Sequence, residues 1–250
     1  MSGHSKWSTI KRKKEAQDVK RGKLFTKLAR EITIAAREGG GDPEANFKLR
    51  LAIDRAKMAN MPKENIERAI KRGTGELKGE ELEELYYEGY GPNGVALLVQ
   101  VLTDNRNRTV SEVRRVFSRY GGNMGEAGCV AWLFEPKGYI TLEVGDEDPD
   151  ELALLAIEAG AEDIETDGQL LEIYTDPADL QMVKEALEKQ GFQIESQLSM
   201  IPKSMTSLSP EKTMQVMRLI DALEELDDVQ QVYSNLDISD EVMVQYEAAA

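Results

Sequence analysis

Residues 138–200 read GYITLEVGDEDPDELALLAIEAGAEDIETDGQLLEIYTDPADLQMVKEALEKQGFQIESQLSM, and this stretch decides the fold. Tyr139–Val144 alternates as a strand, Asp150–Ala159 has helical spacing, and Asp163–Thr166 and Leu170–Tyr174 are two more strands. Asp167-Gly168 between those two strands is a hairpin-turn pair. A helix over Pro177–Gln190 and a strand over Gln193–Leu198 complete the order β-α-β-β-α-β, the signature of a ferredoxin-like sandwich.

Working outward, the chain on either side looks like two halves of another domain. Upstream, Tyr86-Tyr87 and Val95–Leu102 read as strands joined by Gly91-Pro92-Asn93-Gly94. Thr109 and Glu112 have capping-box spacing at the start of a helix reaching Tyr120, Gly121-Gly122 closes it, and Cys129–Phe134 reads as a further strand. Downstream, Pro210–Leu226 reads as a helix and Val229–Leu236 as a strand. Residues 80–135 alone would leave one sheet face short of helices, so the C-terminal pair is expected to complete that domain. The alternative is a C-terminal hairpin packed on the ferredoxin-like domain. The expected fold class is α+β. It comprises an N-terminal three-helix module (1–79) followed by two α/β (ferredoxin-like) sandwich domains, 80–135 plus 206–250 and 136–205, the third domain inserted in the second.

The N-terminal module is amphipathic. Over residues 18–38, Leu24, Phe25, Leu28, Ala29, Ile32, Ala35 and Ala36 fall within an arc of roughly 140°. Lys20, Lys23, Lys27, Arg30 and Arg37 fall within roughly 100° on the opposite side. Gly39-Gly40-Gly41 ends this helix. A second helix is expected from Pro43 or Glu44 to Ala59 with Asp42 as N-cap, bearing Lys48, Arg50, Arg55 and Lys57 outward. A third runs from Pro62 to Arg72-Gly73, where Lys71 and Arg72 suit the negative end of the helix dipole. Residues 1–17 hold few apolar anchors and read as a flexible basic arm with Lys6, Trp7, Lys11, Arg12, Lys13 and Lys14.

Charge is sorted along the chain. Residues 1–79 carry 20 Lys+Arg against 10 Asp+Glu, net +10, while residues 80–250 carry 11 against 36, net −25. A basic block on an acidic remainder is a footprint for a polyanion, although such a block can also pair with the acidic body itself. The candidate nucleic-acid contacts are Lys6, Trp7, Lys11, Arg12, Lys13, Lys14, Lys20, Arg21, Lys23, Lys27, Arg30 and Arg37. Trp7 either stacks on an unpaired base or anchors the arm on the bundle. Lys48, Arg55, Arg106, Arg108 and Arg115 are secondary candidates. Arg106 and Arg108, with Arg114, Arg115 and Arg119 on the next helix, either extend the binding track or pair locally with Asp104 and Glu112.

Enzyme chemistry finds few residues to use. There is one cysteine, Cys129, and one histidine, His4. A Cys/His zinc site and a histidine-based nucleophile pair are therefore not expected. Gly73-Thr74-Gly75 and Gly121–Gly125 lack the spacing of phosphate-cradling loops. No catalytic residue, cofactor, metal or small-molecule substrate is expected. No run approaches the roughly 18 apolar residues of a membrane helix, and the basic N-terminus lacks the apolar stretch of a secretory signal, so no membrane partner and a cytoplasmic location are expected.

Several long motifs carry a resemblance. Gly3-His4-Ser5-Lys6-Trp7, Ile10-Lys11, Lys13-Lys14, Lys20-Arg21-Gly22-Lys23, Ala35 to Pro43, Ala59 to Gly73, Tyr87 to Pro92 and Gly125 to Trp132 together resemble the YebC/PmpR family along essentially the whole chain. The resemblance implies a cytoplasmic protein of three domains. It implies a nucleic-acid-binding regulator of gene expression: a DNA-binding transcriptional regulator, as bacterial members are described. The alternative is a translation factor bound to RNA or the ribosome, as the mitochondrial relative and some bacterial members are. The residues leave DNA and RNA both open.

Overall fold

The structure, a computed structural model, describes residues 21–79, 81–145, 148–167, 170–192 and 194–249. Among them no helix is long and apolar enough to cross a membrane.

Three helices open the described chain. α1 (Arg21–Gly39) ends where Gly40 turns to a φ of +86°, a left-handed conformation natural to glycine. α2 (Phe47–Met58) starts later than its sequence suggests. Residues 42–45 form a turn on the Asp42 carbonyl, and the N-cap is Asn46, whose side-chain oxygen accepts from Leu49 N. Asn46 wins over Asp42 because its amide also donates to the carbonyls of Ala35 (2.7 Å) and Gly40 (2.8 Å), tying α2 to the end of α1. α3 (Lys63–Gly73) follows a reversal at Asn60, with φ +57°. Leu28, Ile32, Ala36, Leu49, Ala52, Ala56, Ile66 and Ala69 form the shared core. Each fully buried large side chain such as Ile32 or Leu49 contributes about 1.5–3 kcal/mol. Gly73 lets α3 lie against α1: a Cβ there would meet Thr33 O and sit 2.7 Å from the Ala36 methyl.

The α/β domain begins with the antiparallel hairpin β1 (Glu83–Tyr90) and β2 (Ala96–Thr103), then α4 (Arg106–Arg119) and the short β3 (Asn123–Met124) beside β1. Thr109 does not cap α4. Asn105 does, accepting from Arg108 N at 3.1 Å, while Thr109 lies one turn inside the helix and is buried. The expected strand over Cys129–Phe134 is replaced by a loop with a single 3-10 turn at Ala131–Leu133, and pairing begins only at Phe134.

The inserted domain, Phe134–Lys203, is a compact unit of its own. Its elements are β4 (Phe134–Glu143), α5 (Pro149–Glu158), β5 (Ala161–Asp167), β6 (Leu170–Thr175), α6 (Leu180–Glu188) and β7 (Glu195–Pro202). The sheet order β5-β6-β4-β7, antiparallel throughout, is that of a ferredoxin-like sandwich. Gly138 on β4 leaves room for α6: a Cβ there would sit 2.8 Å from Leu180 Cβ.

The chain then returns to the first α/β domain with β8 (Thr206–Ser207), α7 (Pro210–Glu224), β9 (Val229–Ser234), β10 (Leu236–Asp237) and α8 (Asp240–Ala249). β9 pairs with β2, giving the order β3-β1-β2-β9. The third domain is thus inserted in the second, and the fold is α+β. Side chains on β2 alternate between the two faces of this sheet. Leu97, Val99 and Val101 pack with Val113 and Phe117 of α4 and with Val216, Ile220 and Leu223 of α7. On the opposite face Leu102, with Leu82, meets Ile34 of α1, so the helical module docks on this sheet.

Candidate nucleic-acid interface

The cationic row of α1 faces the α/β domain. Lys23 Nζ donates to the Glu225 carbonyl (3.0 Å) and reaches the Glu225 carboxylate (3.2 Å). Lys27 Nζ donates to the Glu224 carbonyl at 2.8 Å, and Arg30 to the Asp227 carbonyl at 2.8 Å. Arg37 donates to the Leu82 carbonyl. The last carbonyls of a helix such as α7 have no partner inside it and form the negative end of its dipole. Three side chains of α1 at successive turns meet carbonyls at and just beyond that end. The outward row expected from the sequence is, at Lys23, Lys27, Arg30 and Arg37, the seam between two domains.

Asp228 is the centre of that seam. It is 3% exposed, and its carboxylate accepts from Arg30 (2.9 Å), Arg108 (2.7 Å), Thr109 Oγ1 (2.6 Å) and Thr103 Oγ1 (3.2 Å). Burial pushes the Asp228 carboxyl up, but the Thr109 and Arg108 hydrogen bonds and the Arg30 and Arg108 charges outweigh it and hold the pKa below the ordinary value. Arg108 also pairs with Asp104 at 2.7 Å, so the expected local pairing holds for Arg108 and Asp104. These contacts raise the Arg108 guanidinium further above its usual range.

Other sequence candidates divide clearly. Lys48 pairs with Glu38 at 3.0 Å and Arg55 with Glu31 at 2.8 Å. Lys6, Trp7, Lys11, Arg12, Lys13, Lys14 and Lys20 lie outside the described residues, as does the side chain of Arg21, the first residue of α1. Arg106 and Arg115 are exposed on α4.

Cations that the sequence did not mark as contacts stand out on α3. Arg68, Lys71 and Arg72 are exposed and have no ion-pair partner among the described residues, unlike Lys63, 3.7 Å from Glu67. The signal was present in the helical spacing of Ile66, Ala69 and Ile70, which puts these three on the outer face. On α4, Arg114, Arg115 and Arg119 are likewise exposed, and Arg119 lies 5.9 Å from the Tyr120 ring.

A second anchored loop follows β3. The buried carboxylate of Glu88 accepts from the backbone N–H groups of Gly128 (2.6 Å), Val130 (2.8 Å) and Ala131 (2.7 Å). Burial raises its pKa, and these three bonds more than reverse that, leaving it below normal. Tyr90 Oη and Trp132 Nε1 both donate to the Cys129 carbonyl. Burial and the neighbouring Glu88 charge push the Cys129 thiol up, away from the thiolate a nucleophile needs. Among the described residues no three His, Cys, Asp or Glu side chains converge as a metal site.

A helical module clamped by a buried carboxylate to an α/β domain that contains a ferredoxin-like insertion defines a class of three-domain proteins. The chain belongs to the TACO1/YebC family: residues 5–76 match its N-terminal domain and residues 82–236 its second and third domains. A probable transcriptional regulatory protein of Moorella thermoacetica is 58% identical over 249 residues, 98% of this chain and 99% of its own. One of Acidithiobacillus ferrooxidans is 57% identical over 251 residues, spanning 100% of both chains. The crystal structure of a conserved hypothetical protein from Aquifex aeolicus superposes with a TM-score of 0.82 at 54% identity, covering 89% of this chain and 93% of that one.

Proposed function

We propose that this chain is a non-enzymatic, nucleic-acid-binding regulator of gene expression acting in the cytoplasm, and more narrowly a DNA-binding transcriptional regulator. One observation carries the reading: a module of net +10 sits on a remainder of net −25. Sequence-independent affinity for nucleic acid comes from cations that neutralise phosphates and release counterions. The names of the curated relatives, probable transcriptional regulatory proteins, support the regulatory role.

In this reading residues 1–79 make the contact, the domain of 80–135 plus 206–250 holds them, and 136–205 is the insertion. The phosphate ligands are Lys6, Lys11, Arg12, Lys13, Lys14, Lys20 and Arg21 of the arm, joined by Arg68, Lys71 and Arg72. Lys23, Lys27, Arg30 and Arg37 hold the seam. The acidic remainder repels phosphates and so orients the molecule.

The test is equilibrium binding of the full chain to fluorescent duplex DNA and to single-stranded RNA across a salt series. Tighter binding to the duplex with a steep salt slope supports the reading. Binding to RNA alone would move the function to translation, and binding to neither at low salt would overturn it.

A further inference from the structure

We infer that the outward face of α4 is a second phosphate-contacting surface, taking the backbone of duplex DNA alongside the N-terminal module. The inference rests on the nucleic-acid reading above and adds a site in the α/β domain.

The charge of α4 runs against its surroundings. Of the 11 Lys+Arg in residues 80–250, Arg106, Arg108, Arg114, Arg115 and Arg119 lie in this one helix of 14 residues. Its only carboxylate is Glu112. Thr109, Val113, Val116 and Phe117 fix the buried side of the helix. Helical geometry then places Asn107, Ser111, Arg114, Arg115 and Ser118 on the opposite side, all exposed. Arg106, Arg114 and Arg115 have no carboxylate at ion-pair distance among the described residues, although the domain is rich in acid. An isolated basic face in an acidic domain is left unneutralised at a cost in self-attraction, and a polyanion is the partner that its charge fits.

The residue types narrow the partner. All five arginines are exposed, Arg108 alone being held by Asp228 and Asp104, and guanidinium forks suit phosphate oxygens. The ring beside these arginines, Tyr120 at 5.9 Å from Arg119, is half-buried at the end of the helix, and no fully exposed aromatic side chain lies within α4. A single strand held without sequence preference is usually gripped by stacking its bases on aromatic rings, so a face of donors alone favours a duplex backbone.

Continuity with the module supplies the geometry. Arg108 in the first turn of α4 and Arg30 of α1 share the Asp228 carboxylate, at 2.7 and 2.9 Å. The start of α4 therefore lies beside the middle of α1, where Arg30 is the tenth of 19 residues. A duplex that contacts the helical module at this junction also meets α4, whose 14 residues extend about 21 Å.

The experiment compares the full chain with an R114A/R115A/R119A variant and with a K11A/R12A/K13A/K14A variant, using duplex DNA over a salt series. The α4 variant is expected to melt as the parent does. Its salt slope is expected to flatten by about 2–3, at about 0.9 for each lost phosphate contact. An R114K/R115K/R119K variant is expected to keep most of the slope. An unchanged slope and affinity in the alanine variant, while the arm variant loses binding, would overturn the α4 site and leave the functional reading standing. Loss confined to single-stranded RNA would overturn the duplex assignment. No binding by the parent chain to either nucleic acid would remove the functional reading itself.

Discussion

Arg30 of α1 reaches the carboxylate of Asp228 at 2.9 Å across 198 residues of sequence, and this pair locks the basic module to the acidic body. Asp228 precedes β9, whose pairing with β2 closes the sheet, so the same residue marks the completion of the α/β domain and the docking of the helices. Losing Asp228 takes the buried carboxylate from both Arg30 and Arg108, whereas losing Arg30 leaves Asp228 still paired with Arg108. Arg30→Ala is expected to destabilise by about 2–3 kcal/mol and Asp228→Ala by about 3–5 kcal/mol. Urea denaturation checks both, and a change under about 0.5 kcal/mol, the size expected of an ordinary surface substitution, would contradict the clamp.

The clamp also sets an acid response. The Asp228 pKa is lower folded than unfolded, so its contribution is complete above the unfolded value of about 4 and fades as pH falls through the folded value. The parent chain is expected to lose stability below about pH 4 more steeply than Asp228→Asn. Melting temperatures between about pH 3 and about pH 7 test this. Parallel curves would show that Asp228 is not a source of the acid dependence.

Lys23 and Lys27 meet the carboxyl end of α7 and are expected to act there. Lys23→Ala with Lys27→Ala should cost about 0.5–1 kcal/mol of stability. The same variant should leave the salt slope of DNA binding within error of the parent. A slope flattened by about 2 would return both lysines to the phosphate contacts.

Glu88 organises the Gly125–Ala131 loop through three backbone bonds. Glu88→Gln turns an acceptor-only group into one that also donates, at a cost of about 1–3 kcal/mol. It also removes a charge that holds the Cys129 thiol up. Alkylation of Cys129 by iodoacetamide at about pH 8, near the ordinary thiol range, is expected to speed up in the variant. Unchanged alkylation would mean that the loop is held by other contacts.

Much of the fold was legible. The ferredoxin-like domain could be read because strand and helix periods alternate cleanly between Tyr139 and Leu198, with turn residues at the joints. The insertion followed from two elements left after residue 205. The failures were local rules overruled by distant partners. Thr109 has capping-box spacing, but its hydroxyl serves Asp228, 119 residues away. Asp42 is a fair cap on its own, yet Asn46 alone reaches Ala35 and Gly40. The apolar run at Cys129–Phe134 resembles a strand, but Glu88 draws its amides into a loop. The terminal helix Asp240–Ala249 went unread, although Val242 and Tyr246, one turn apart, both enter the core.

What the cations of α1 meet was not legible, for the same reason. Periodicity showed that Lys23, Lys27, Arg30 and Arg37 share one side of a helix. It carried no information on what that side would meet, because most of the partners are carbonyls and a carboxylate near residue 225. Once the seam had claimed these four, the exposed cations of α3 became visible as the remaining face of the module.

Photo-crosslinking of the full chain to bound nucleic acid, followed by mass-spectrometric mapping of the attached peptides, probes the contact surface directly. Attachment concentrated in residues 1–79, on the arm and the outer side of α3, with a second set of attachments on α4, is the predicted result. Attachment confined to the inserted domain at 134–203, with the basic module untouched, would contradict the account.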